Sequence, residues 1–345
     1  MRKKIYAAAG YNTIFMGPGR PEFDPKKLML SFESYLHETA KGTCDQVPNL
    51  ELDEGIIGSF MPQRFIKQGN LPGFLPSMIP SLLGKPCLGV EGACGTGGKA
   101  IVTAMRSVLS DMADAVFVSA FEVQNTMKAV YGADVLAGAG HYSKQRKRGH
   151  AYFFPGVFSD RAEAYSRDYG DQYTRMGLAK WYEQAILKAR KSPKAQEHFN
   201  TNPNLFETGM TPPDPDKFLP FLNATDCSKV SDGATSLIIF SEEGLAKAGI
   251  DKGNAVEIVA IGEAEGDITQ PPLDPTVLST THRAVHKAFD KSGLTINDLG
   301  LLEAHDCFTI SGLLSMEALG FAEPGKAPEF VLEGHINEEG IIPTN

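Results

Sequence analysis

Residues 85–120 constrain the fold more tightly than any other stretch of the chain. Lys85-Pro86-Cys87-Leu88-Gly89-Val90-Glu91 reads as a strand, and Gly92-Ala93-Cys94-Gly95-Thr96-Gly97-Gly98-Lys99 follows at once. Ile101, Ala104, Met105, Val108, Leu109 and Met112 then recur at helical spacing, the mark of one buried face. The apolar run 115–120 reads as a second buried strand. A strand–helix–strand unit of this kind predicts a parallel crossover and an α/β protein, with Cys94 in the strand-to-helix turn.

Elsewhere the pattern is coarser. The N-terminal ten residues read as a first buried strand: they have a basic start but lack the sustained apolar middle of a signal peptide. Segment 25–41 suits a surface helix and 71–76 a bend. From 124 to 222 aromatics, basic residues and turn formers crowd together around one helix at 171–190, which predicts an inserted subdomain. Strands are expected at 236–240, 255–261 and 299–304, and a helix at 281–291 closed by Gly293.

A chain of 345 residues with 42% hydrophobic content can bury a large core in two or three packed units. Its apolar runs are too short to span a bilayer. The net charge of −9 argues against general nucleic-acid affinity but leaves room for a local basic site. The run Lys144-Gln145-Arg146-Lys147-Arg148 is one: it reads either as a solvated loop face or as a receiver of phosphates through Lys144, Arg146 and Arg148. The five cysteines, Cys44, Cys87, Cys94, Cys227 and Cys307, form no CxxC pair and no zinc-ligand pattern, so no metal is expected and a reducing cytoplasm fits.

A cysteine at a helix N-terminus has its thiolate favoured by the N–H groups there, and small neighbours let substrate approach. Cys94 is therefore a candidate nucleophile, with a packed cysteine in a glycine-rich turn as the alternative. Gly95-Thr96-Gly97-Gly98-Lys99-Ala100 also matches a GxGxxA dinucleotide fingerprint, with Glu122 after the next strand. A phosphate P-loop is excluded, because Ala93 replaces its first glycine and Ala100 its Ser or Thr. His282 and His286 stand four apart, but Arg283 occupies the place of a zinc protease's Glu, and a solvated helix face is the preferred reading.

Cys94 in its turn, Val230-Ser231-Asp232-Gly233 and His305-Asp306-Cys307-Phe308 occur in the order seen in thiolases. The chain resembles that family almost throughout, and His305-Asp306-Cys307-Phe308-Thr309 looks like its sterol-carrier-type and archaeal branch. The resemblance implies a five-layered α-β-α-β-α fold of two similar halves. Residues 1–123 and 223–243 would form the first half, 124–222 a loop domain on the coenzyme A side, and 244–345 an incomplete second half. It implies that Cys94 is acylated and that His305 positions the water or donor that stabilises an enolate or oxyanion. Cys307 is either an acid/base group or a strand-end packing residue. Coenzyme A and acyl-CoA would be substrates, with no permanently bound cofactor, and the chain would form homodimers or homotetramers.

The family's Gly-His-Pro base motif is not found, since His335 follows Gly334 but precedes Ile336. The expectation is thus a fragment of a longer protein, or a chain completed by a partner such as a second thiolase-like chain or a small zinc-ribbon/OB-fold protein. A thiolase-fold ketoacyl synthase and a catalytically incomplete scaffold subunit are the competing readings.

Overall fold

The computed structural model describes residues 3–27, 29–146 and 150–345. They divide into two compact units, Met1–Val135 with Val230–Ala260, and Leu136–Lys229 with Ile261–Asn345. The expected insert, 124–222, is shared between the two.

The first unit is built on β1 (Tyr6–Asn12), α1 (Phe32–Cys44), β2 (Glu54–Gly58), β3 (Cys87–Val90), α2 (Thr96–Leu109), β4 (Ala115–Glu122), β5 (Gly233–Phe240) and β6 (Val256–Glu257). The sheet order is β3-β2-β4-β5-β1-β6. Strand β2 runs parallel to β3 and β4, with Gly58 opposite both Val90 and Ala120. Strands β5, β1 and β6 join antiparallel, so the parallel architecture expected from the crossover holds for three strands and the sheet as a whole is mixed. The parallel register places the C-terminal ends of β2, β3 and β4 on one edge.

Alternation along the strands supplies both faces. Ile57, Phe117, Phe121, Ile238 and Phe240 pack with Phe32, Tyr35 and Leu36 of α1 in one cluster. On the other face Ala100, Ala104, Met105 and Val108 bury the inner stripe of α2, while Leu109 and Met112, expected on that stripe, are exposed at and beyond the helix end. Helix α1 differs from the expected surface helix at 25–41. It begins later, where Ser31 accepts a hydrogen bond from Ser34 N, and it is a core element. Its buried hydroxyls are satisfied from two sides: Thr43 Oγ1 lies 2.7 Å from Ser236 Oγ of the sheet, while Thr39 Oγ1 donates to Leu36 O at 3.0 Å within the helix, and Ser236 Oγ donates to the Thr39 carbonyl at 3.0 Å.

The second unit is helical around its core. Helices α3 (Phe153–Tyr169), α4 (Asp171–Ala189) and α6 (Thr309–Leu319) contribute Tyr165, Leu178, Trp181, Ile310, Leu313 and Leu314 to one buried cluster. Between them in sequence, α5 (Ser279–Ser292) ends at Gly293 with φ +72°, the left-handed C-cap expected from the sequence. The strand expected at 299–304 is an isolated parallel bridge between Leu302 and Thr344. The strand expected at 255–261 shrinks to β6. A strand persists only as far as a neighbour pairs with its backbone: residues 302–304 hydrogen-bond to the last residues of the chain, through Leu302 N to Pro343 O at 2.9 Å and Asn345 Nδ2 to Ala304 O at 3.1 Å. No helix among the described residues is long and apolar enough to cross a membrane.

Candidate functional site

Cys94 sits in a single 3-10 turn, Ala93–Gly95, between β3 and α2, and is exposed. The turn is held from within. Thr96 Oγ1 accepts from Gly92 N at 3.0 Å and donates to Ala93 O at 2.6 Å, and Glu91 accepts from Ala93 N at 2.5 Å. Ala93 adopts φ +50°, in the left-handed region that a residue with a Cβ enters at a cost of about 1 kcal/mol. Gly58 lets α2 approach the sheet, since a Cβ there would stand 2.6 Å from Thr96 Cγ2. At Gly95, Gly97 and Gly98, by contrast, an added Cβ would meet nothing within 4 Å. None of these three has a positive φ, so neither packing nor backbone conformation requires glycine there.

The other polar groups at this edge come from the ends of β4 and β5. Glu122, the last residue of β4, accepts from Phe60 N at 2.7 Å on Oε1 and from Gln124 Nε2 at 2.9 Å on Oε2. Burial pushes its carboxyl up to about 7, with the nearby charges of Asp232 and Glu91 adding to the effect. Asp232 is fully buried and accepts from Gln124 N at 2.7 Å and Asn125 N at 3.0 Å, both on Oδ1. Its Oδ2 has no hydrogen-bond partner among the described residues, and burial raises this carboxyl as well.

The Cys94 thiol is pushed above its ordinary value, first by the protein atoms around it and then by the Glu122 carboxylate, against one favourable backbone N–H. The thiolate-favouring environment expected from the helix N-terminus is therefore outweighed: the residue is exposed, yet desolvation of its thiol and the charge of Glu122 both disfavour the thiolate. Sequence reasoning attached Glu122 to a dinucleotide fingerprint rather than to this thiol. The signal was available, because in a parallel strand–helix–strand unit the end of the second strand returns to the edge that carries the turn. In the dinucleotide reading Glu122 would accept from a ribose; here its two oxygens accept from Phe60 N and Gln124 Nε2.

His305 and Cys307 lie in the second unit, just before α6. His305 is exposed, without a hydrogen-bond partner among the described residues. Asp306 accepts from Trp181 Nε1 at 2.8 Å, which ties this segment to α4. Cys307 is half-buried, and its carbonyl accepts from Ser228 N at 3.0 Å. The neighbouring bridge pairs Phe308 with Cys227, whose thiol burial drives up to about 12 with Asp226 and Cys307 contributing. Beneath them Asp226, fully buried, receives both Arg175 Nη1 at 2.7 Å and Nη2 at 2.6 Å, together with Thr309 Oγ1 at 2.8 Å.

Of the basic run, Arg148 lies outside the described residues. Lys144 is exposed and its charge helps lower Asp267, while Arg146 Nη1 donates to His150 O at 2.8 Å. His282 and His286 lie with Nε2 atoms 2.9 Å apart on the exposed face of α5. His335 is paired with Glu333 at 2.9 Å. No group of three or more potential metal ligands occurs among the described residues.

Comparison with known proteins places these features in context. Residues 262–345 match the family model described as thiolase C-terminal domain-like. The chain is 28% identical over 319 residues to an acetyl-CoA acetyltransferase of Methanothermobacter thermautotrophicus, spanning 92% of this chain and 79% of that one. It is 24% identical over 352 residues to the benzoylsuccinyl-CoA thiolase subunit BbsB of Thauera aromatica, spanning 99% and 81%. Among solved structures, an Ltp2-ChsH2(DUF35) aldolase superposes with a TM-score of 0.73 at 19% identity, covering 99% of this chain and 83% of that one. At that identity the likeness is one of fold.

Proposed function

We propose that this chain, a thiolase relative of mixed α/β fold, is an acyl-CoA acyltransferase that carries the acyl group as a thioester on Cys94. The observation that carries the reading is the bare ground around the thiol: an exposed cysteine at the start of α2, flanked by Gly95, Gly97 and Gly98, none of which the protein's own packing requires. Glycine retained where the fold does not demand it fits close approach by a ligand.

In the transfer, Cys94 Sγ attacks the thioester or 3-ketoacyl carbonyl and the new C–S bond forms. Coenzyme A thiolate or the enolate of acetyl-CoA departs and takes up the proton that the thiol loses. Backbone N–H groups at the start of α2 suit the oxyanion of the tetrahedral adduct. His305 is assigned to steady the enolate or oxyanion, and Cys307 to proton exchange. Lys144, Arg146 and Arg148 are the candidates for the coenzyme A phosphates, on the loop side at 124–222. Thiolysis and condensation are the two directions of the same steps, and metabolite concentrations decide between them.

One observation favours a second reading. Among the described residues no cation or histidine offsets the rise of the Cys94 thiol, which fits a subunit that binds coenzyme A but needs a partner chain for turnover. A thiolysis assay with acetoacetyl-CoA and free coenzyme A tests both. Turnover by the isolated protein, lost in Cys94→Ala, supports the enzyme. Absence of turnover with retained coenzyme A binding supports the subunit.

A further inference from the structure

We propose that Glu122 is a positioning residue for Cys94: placed at the same sheet edge, it sets the charge against which the thiolate forms. This deepens the reading of Cys94 as the acylated residue and rests on it. The geometry comes from the parallel register. With Gly58 opposite Ala120, the end of β4 returns beside the segment that follows β2, where Phe60 N clamps one Glu122 oxygen at 2.7 Å. The same end of β2 carries the contact with Thr96, the residue that closes the Cys94 turn.

Glu122 is also linked to a second acid. Gln124 donates its side-chain N–H to Glu122 at 2.9 Å and its backbone N–H to Asp232 at 2.7 Å, so one residue bridges two buried carboxyls. Glu122 faces Cys94 from the turn, Glu91 from the end of β3 and Asp232 from the start of β5. The α2 cation near the turn is Lys99, whose stem lies over Gly92. With three acids and a thiol at one edge, each negative charge disfavours the next.

The consequence is an ordering of protons. While Glu122 holds its proton the thiolate forms without an opposing carboxylate. Once Glu122 ionises, near pH 7, the thiolate becomes costlier. The neutral thiol and the neutral thioester are both free of this opposition, so Glu122 bears only on the thiolate that attacks.

The test is the pH dependence of Cys94 alkylation by iodoacetamide, which forms an S–C bond, expels iodide and follows the thiolate. The readout is intact mass followed by peptide mapping, between pH 5.5 and about 10, a range that spans the raised Glu122 carboxyl at about 7 and the ordinary thiol value. Glu122→Gln removes the charge and keeps an acceptor for Phe60 N. The expected result is a profile moved to lower pH and alkylation about three- to tenfold faster at pH 8, somewhat less than the gain in thiolate because nucleophilicity falls with pKa. A folded variant whose profile superimposes on the parent's, or whose alkylation is slower, overturns the proposal. If Glu122→Gln does not retain the native circular dichroism, Gln124→Met decides. Removing the side-chain donor raises Glu122 further, so the inflection near neutral pH moves upward, and an unmoved inflection overturns the proposal. No acyl-CoA is involved, so failure here is distinct from failure to find an acyl adduct.

Discussion

Glycines with opposite reasons for being glycine divide the residue scale. Gly312 is imposed by packing: a methyl there would fall inside the indole of Trp181, whose Nε1 holds Asp306. Gly312→Ala is expected to cost about 2–3 kcal/mol in urea denaturation. Gly97 and Gly98 lie in a helix with open space beyond them, so Gly98→Ala should leave stability unchanged or raise it by up to about 1 kcal/mol while it slows acyl transfer. Unchanged transfer in that variant would contradict a ligand seated against the turn. Glu122 adds a pH signature. Its folded-state carboxyl lies near 7 rather than the ordinary 4.5, so the folded protein binds the extra proton and its stability falls as pH rises through that window. Denaturation midpoints measured from pH 4.5 to 7.5 should show a smaller fall in Glu122→Gln.

Among elements, those whose partners lie nearby in sequence were legible and those that depend on distant pairing were not. The strand, turn and helix around Cys94 follow from local apolar periodicity and glycine placement, and they appear within a residue or two of the reading. Helix α5 and its Gly293 cap follow in the same way. Segment 299–304 has the composition of a strand, but a ladder needs a neighbour, and among the described residues a short one is supplied by 343–345. The antiparallel pairing of β1 with β5 was hidden because it joins residues more than two hundred positions apart. Helix α1 was misjudged as a surface element because Thr39 and Thr43 count as polar in sequence, whereas in the core Leu36 O takes the Thr39 hydroxyl and Ser236 meets that of Thr43. The tether between α4 and the start of α6 is testable at this scale. Arg175→Met leaves the buried Asp226 carboxylate without its bidentate partner and is expected to cost about 3–5 kcal/mol, read by thermal or urea unfolding.

For the whole molecule, the residues proposed for the chemistry fall in different compact units, Cys94 and Glu122 in the first, His305 and Cys307 in the second. The order of the motifs made this legible as a likeness, and the residue-level environment of Cys94 became visible only with the fold. The division predicts separable defects. His305→Ala should leave the alkylation profile of Cys94 in place while lowering turnover by about a hundredfold or more. The central claim, that Cys94 carries the acyl group, is tested most directly by incubating the protein with acetyl-CoA, quenching in acid and mapping the modified peptide by mass spectrometry. The account predicts one acetyl group on the peptide containing Cys94, released by hydroxylamine and absent from Cys94→Ala. An acetyl group on another residue, or none on a folded protein that binds acetyl-CoA, would contradict it.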